Sequence, residues 1–103
     1  MLEVSVVMRF AWDHTKEATN LAKHGVLFSE AKQAFSDPLA VVAFDEVHSP
    51  RAKSELRWWL LGKVGSRVML VRYTHRPNGV IRIIGAGYWE IGAKIYEEKN
   101  KPE

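Results

Sequence analysis

The stretch Val68-Met69-Leu70-Val71-Arg72-Tyr73-Thr74-His75, the link Arg76-Pro77-Asn78-Gly79 and the run Val80-Ile81-Arg82-Ile83-Ile84-Gly85-Ala86 decide the fold. Two apolar, β-branched runs flank an Asn-Gly pair, and both residues of that pair tolerate positive φ. This predicts a β-hairpin. Leu56 to Leu61 reads as a strand before it, joined through Gly62-Lys63-Val64-Gly65-Ser66. Leu39 to Phe44 is a further compact strand candidate, and short turns favour an antiparallel meander.

Upstream, Leu2, Val4, Val6, Met8, Phe10 and Trp12 share one parity, which predicts a strand over residues 2 to 12 with one buried face. Asp13 stands at a helix N-cap position. His14 to Lys23 follows with Ala18, Leu21 and Ala22 at helical spacing, and Gly25 supplies the left-handed stop. Ser29 reads as the next N-cap, and Asp37-Pro38 ends that helix because a residue before Pro avoids helical geometry. Ala93 to Glu98 suits a short closing helix. The order is β-α-α-β-β-β-β-α. We therefore expect a two-layer α+β domain over residues 1–103, an antiparallel sheet with helices on one face.

The bulk numbers agree with one globular domain: 103 residues, 47% hydrophobic and 26% charged, a composition too apolar for disorder. There is no Cys, which excludes disulfides and thiolate metal sites and fits a reducing cytoplasm. No apolar run approaches the roughly 20 residues that span a bilayer, and the N-terminus does not read as a signal peptide. The four histidines, His14, His24, His48 and His75, share no metal-ligand spacing, so neither metal nor cofactor is expected. The net charge of +3 permits a polyanionic partner without demanding one.

A specific pattern runs through the first half. Phe10, Trp12-Asp13, Lys16, Asn20, Lys23-His24-Gly25-Val26, Phe28, Glu30-Ala31, Phe35 and Asp37-Pro38 stand at the spacing of the BrnT toxin family. The chain resembles that family onward through His48-Ser49, Glu55, Arg57, Gly62 and Arg82-Ile83-Ile84. The resemblance implies a RelE-like fold and a translation-blocking ribonuclease. It also implies neutralisation by a BrnA-like antitoxin, which itself contacts operator DNA. One departure stands out. Where many members read Ile-Ile-Ser-Ala-Arg, this chain has Ile84 followed by Gly85, Ala86 and Gly87. Two readings therefore stay open: a metal-independent RNA-cleaving toxin, and a catalytically silent module acting through its antitoxin. Direct nucleic-acid binding without cleavage is a third.

Cleavage of RNA by its own 2′-hydroxyl needs a base, a cation for the phosphate and an acid. Arg82 is the first candidate cation. An even turn places it on the face of Tyr73 and His75, whereas an odd turn brings Arg72 to its face instead. The plainer account is an Arg whose stem covers the sheet. His48 is a candidate for proton transfer because imidazole is the side chain suited to it near neutrality, and Glu55 and Arg57 share a strand parity; each is equally a turn or surface residue. Tyr96 could assist. Lys23 and His24 could meet RNA, although a helix C-terminus stabilised by cations accounts for them. Trp58 and Trp59 point to opposite faces, so one is core and the other packs on a partner or base. Trp89 could stack on a base, and Lys94 could attract phosphate. An unpaired edge strand could receive the antitoxin or join two copies.

Overall fold

A computed structural model describes residues 8–49 and 55–102. Its elements are β1 (Arg9–Ala11), α1 (His14–His24), α2 (Phe28–Ala31) running into a 3-10 helix (Lys32–Ser36), β2 (Val41–Phe44), β3 (Arg57–Val64), β4 (Arg67–Arg76), β5 (Val80–Tyr88) and α3 (Glu90–Lys99). They form one five-stranded sheet in the order β1-β5-β4-β3-β2. Strands β2 to β5 are the expected antiparallel meander. The addition is β1, which pairs parallel to β5. Of the first expected strand, residues 2–7 lie outside the described residues, as do Pro50 and Arg51.

The local signals act as their chemistry dictates. The Asp13 carboxylate accepts the Lys16 N–H at 3.0 Å, and Gly25 closes α1 at φ 68°. The hydrogen bond from Lys16 N–H holds the Asp13 carboxyl below its ordinary value, and Arg82 adds a weaker pull. The Ser29 cap is not observed. Instead α2 begins at Phe28, whose N–H is taken by Glu17 of α1 at 2.8 Å. A carboxylate from a neighbouring helix thus does the work of a local cap.

The hairpin turn corrects the expected register. Asn78 and Gly79 both take positive φ, at 64° and 74°. However, Pro77, Asn78 and Gly79 all lie between the Arg76–Val80 pair, so the loop is odd. Arg82 consequently faces Thr74, while Tyr73 pairs with Ile83 and His75 with Ile81. A second irregularity follows. Arg72 pairs with Gly85 and Tyr73 with Ile83, leaving Ile84 as the extra residue of a bulge. The bulge resets the alternation, so Gly85 and Gly87 share the face of Arg72 and Leu70.

On one face Leu60, Met69, Val71, Tyr73, Ile81, Ile83 and Ala86 pack beneath Val26, Phe28, Ala31 and Ala34 of the early helices. The approach is closest at Gly62, where a Cβ would sit 2.3 Å from the Ala34 carbonyl oxygen. The closing helix gathers the alternate parity: Tyr96 and Ala93 pack with Leu61, Val68 and Leu70. Asp37 ties these parts together. Its carboxylate accepts the Tyr96 hydroxyl at 2.6 Å, the Lys63 N–H at 2.8 Å and the Leu39 N–H at 2.9 Å.

Burial opposes ionisation of Asp37, but those hydrogen bonds outweigh it and hold its pKa below the ordinary 3.8. Burial, then Asp37 itself, pushes Tyr96 up to about 12. The lowered acid stabilises the fold above 3.8 and loses that contribution as pH falls through its folded value. The raised phenol stabilises below pH 10 and loses its contribution as pH rises towards about 12. Urea unfolding across pH should therefore give a plateau between these limits. Tyr96→Phe should lower that plateau by about 1–2 kcal/mol and reduce the alkaline fall, of which the buried Tyr73 phenol keeps a share.

Asn20, 8% exposed, is the other buried tie. Its amide nitrogen donates to the carbonyls of Val26 and Ala86, each at 2.9 Å, and its oxygen accepts the Ala86 N–H at 3.1 Å. Asn20→Ala should cost about 2–4 kcal/mol in urea unfolding, since three buried backbone groups lose partners. Asn20→Asp should also destabilise, because a carboxylate cannot donate.

Candidate functional site

Helix α1 runs beside β5 where β1 has already ended, and Asn20 anchors it to Ala86. Lys16, Asn20 and Lys23 recur at helical spacing, so one side of α1 carries two cations past this anchor. His24 follows at the C-terminal end, its Cβ 3.5 Å from where a Cβ on Gly87 would stand. Strands β3 and β4 contribute Arg57, Trp59 and Arg72, all of one parity, with Trp59 opposite Arg72.

The loop after β2 supplies the remaining wall. The Asp45 N–H donates to the Arg57 carbonyl at 2.9 Å, which pins the loop to β3. Arg57 N–H donates to Ser49 Oγ at 2.8 Å, a second pin. Asp45 is 7% exposed. Its carboxylate accepts the His48 backbone N–H at 3.1 Å and lies 2.9 Å from His48 Nδ1. An ionised carboxylate only accepts, so Nδ1 carries the proton and Nε2 is left as the proton-exchanging atom. The His48 side chain is 44% exposed, so that atom is reachable.

These walls enclose two adjoining cavities of about 620 and 400 Å³. Asn20, His24, His48, Arg72 and Gly85 line both, so they form one cleft with a junction at those residues. One arm is cationic, with Lys16, Lys23 and Arg57. The other is aromatic, with Trp59, Leu70, Tyr88 and Trp89 over Gly87. Among the described residues no three His, Asp or Glu side chains gather as a metal site. No helix among them is long and apolar enough to cross a membrane.

Of the residues singled out from sequence, Lys23, His24, His48, Arg57, Trp59, Arg72 and Trp89 meet in this cleft. The others do not line it. Tyr73 is 5% exposed on the core face, its ring centroid 5.1 Å from that of Phe35, and burial raises its pKa. His75 stays beside it, 5.5 Å between ring centroids. The grouping of Arg82 with Tyr73 and His75 is thus overturned, for the odd turn sets Arg82 on the other face. Glu55 pairs with Arg76 at 3.2 Å rather than with Arg57. Tyr96 is buried against Asp37, and Lys94 is exposed on α3. Sequence reasoning missed Asp45 and Lys16. The signals were present: an Asp three residues before a His can fold back on it, and Lys16 lies two helical turns before Lys23.

Known proteins agree with this architecture. The crystal structure of the Brucella abortus ribonuclease toxin BrnT aligns with a TM-score of 0.61 at 22% identity, covering 82% of this chain and 99% of that one. No curated protein sequence matches the chain. The family model described as the ribonuclease toxin BrnT of type II toxin–antitoxin systems matches residues 12–91, a range that holds the cleft residues from Thr15 to Trp89. By that match the chain belongs to the BrnT family of ribonuclease toxins.

Proposed function

We propose that the cleft cleaves single-stranded RNA without a metal ion, and that translation stops because messenger RNA is lost. The observation that carries this reading is the junction itself, where His48, His24 and Arg72 line both cavities. Arg72 and Arg57 hold the phosphate and take up the charge that grows on it. His48 Nε2 accepts the proton of the 2′-hydroxyl, and Asp45 keeps that nitrogen free by holding Nδ1–H. The 2′-oxygen then bonds to phosphorus while the bond to the 5′-oxygen breaks. Protonated His24 gives its proton to the departing oxygen. The products are a 2′,3′-cyclic phosphate and a free 5′-hydroxyl. Lys16 and Lys23 lie along the cationic arm and draw the strand across the junction.

A type II toxin works with an antitoxin, here a BrnA-like protein that would contact operator DNA on the pair's behalf. Strand β2 borders the sheet with Val42 and Phe44 exposed, and an edge of that kind receives a partner's strand or a second copy. Partners of this kind would be met in the cytoplasm.

One observation favours the silent-module reading: Gly85 and Gly87 present no side chain to the cleft face. Purified protein incubated with a mixed-sequence RNA in EDTA decides between them. Cleavage with cyclic-phosphate ends is expected, falling about 100- to 10,000-fold in His48→Ala and about 100-fold or more in Arg72→Ala. Tyr73→Phe, on the core face, should leave the rate within about twofold. Expression in a bacterium should arrest growth for wild type and not for His48→Ala. Intact RNA and unhindered growth with folded wild-type protein would establish the silent module instead.

A second expectation concerns Asp45. Asp45→Asn keeps the loop's size but lets the side chain offer an N–H to Nδ1, which favours the wrong tautomer. The cleavage rate near neutrality should fall at least tenfold with RNA affinity unchanged. A fall in affinity with the rate per bound RNA intact would contradict the role given to Asp45.

A further inference from the structure

The aromatic arm of the cleft has no part in the phosphate chemistry, yet it opens from the same junction. It holds about 620 Å³, inside the range of about 300–1,000 Å³ in which small organic groups are bound. Its rings are not equivalent. Tyr88 is already engaged, with the Arg67 guanidinium 3.7 Å from its ring centroid. Trp89 is 41% exposed but not loose. A Cβ on Gly92 would stand 2.9 Å from Trp89 Cε3 and 2.7 Å from Leu61 Cδ2, so the indole lies against the bare backbone of α3's first turn. Gly92 is therefore a seat for the indole, and the remaining surface of the ring lines the cavity. Trp59 lies opposite Arg72 across the β3–β4 pair and lines the same arm. Gly85 and Gly87 keep the floor free of side chains. At Gly87 a Cβ would meet only His24, at an ordinary 3.5 Å, so that position is empty by choice of residue and not by crowding.

We infer that this arm is a nucleobase subsite, in which the base next to the Arg72-held phosphate leaves its stack and lies against Trp89. The inference rests on the RNA-cleaving reading of the junction and adds the group that the second arm takes. A flat, polar-edged ring suits a wall of indole with cations at its mouth. The chain that carries the base also supplies the phosphate for Arg72, so both arms fill at once. Stacking of this kind tolerates every base, so the subsite positions the strand more than it selects sequence.

The test uses a fluorescently labelled 2′-O-methyl tetranucleotide, which cannot be cleaved, and the same oligomer with one abasic internal position. Affinities are read by anisotropy for wild type, Trp89→Ala, Trp89→Phe, Gly87→Leu and Arg72→Ala, each first shown to be folded by circular dichroism. Trp89→Ala should weaken the base-bearing oligomer about tenfold and leave the abasic one unchanged. Trp89→Phe should retain most of the affinity. Gly87→Leu adds a side chain to the floor of the arm while leaving Trp89 and Gly92 unchanged, and it should reproduce the Trp89→Ala loss, which guards against a packing defect around Gly92. Arg72→Ala should weaken both oligomers alike. If Trp89→Ala and Gly87→Leu bind the base-bearing oligomer as wild type does while Arg72→Ala does not, the base subsite is overturned and the phosphate site stands. If wild type binds neither oligomer, both readings fall.

Discussion

The Asn20 side chain does for β5 what a neighbouring strand would otherwise do. Strand β1 pairs with β5 only from Val80 to Arg82, so beyond the bulge the edge of β5 faces a helix. A helix has no free backbone groups along its flank to complete a ladder. Unmet, the N–H and C=O of Ala86 would each cost about 1–3 kcal/mol once buried. The amide of Asn20 meets both, and its second N–H takes the Val26 carbonyl just past the end of α1. Three contacts from one short side chain allow α1 a single rotation and a single height on the sheet. That rotation puts Lys16 and Lys23 on the cleft and brings His24 to Gly87. The site thus depends on a polar contact made at the junction of its two cavities.

The same dependence explains what could be read from residues alone. Caps and stops act within one turn of chain, so Asp13 and Gly25 announce α1 without help from the fold. The Asn-Gly pair announces the hairpin for the same reason. Position 29 fails because its rival is not local: Glu17 reaches across from α1 to Phe28. The meander was legible from apolar runs, whereas the parallel β1–β5 pair was not, since a short strand carries no mark of its partner.

Faces are harder to read than elements. A one-residue change in register moves every side chain to the opposite side, and here two such changes fall within one hairpin. Pro77 joins Asn78 and Gly79 in the turn, which sends Arg82 away from Tyr73 and His75. Ile84 then bulges, which turns Gly85 and Gly87 to the face of Arg72. Nothing in the run Ile83-Ile84-Gly85 says which residue is extra; packing decides it, for Ile83 and Ala86 must both reach the core. Arg82 shares the face of Arg72 but does not line the cleft, so the candidate cation there is Arg72. The phenol and imidazole expected to join Arg82 pack near Phe35 and Trp58 instead.

Concentrating cations on one wall has an energetic consequence for the free protein. Lys16, Lys23, Arg57 and Arg72 line one cleft in which, among the described residues, the only acid is Asp45, and its carboxylate is committed to His48. Their mutual repulsion is screened by salt but not cancelled, and α1 and β4 hold them together through contacts made elsewhere. A polyanion entering the cleft relieves this repulsion and needs no rearrangement to do so. An acidic or carbonyl-rich partner surface gains in the same way. A polyanion and an acidic partner surface would thus draw on one preorganised field, and blocking such a cleft requires only that a partner lie over it. A small domain with few core residues can sustain that arrangement because its cations sit on rigid elements, where the cost of gathering them is met once, on folding.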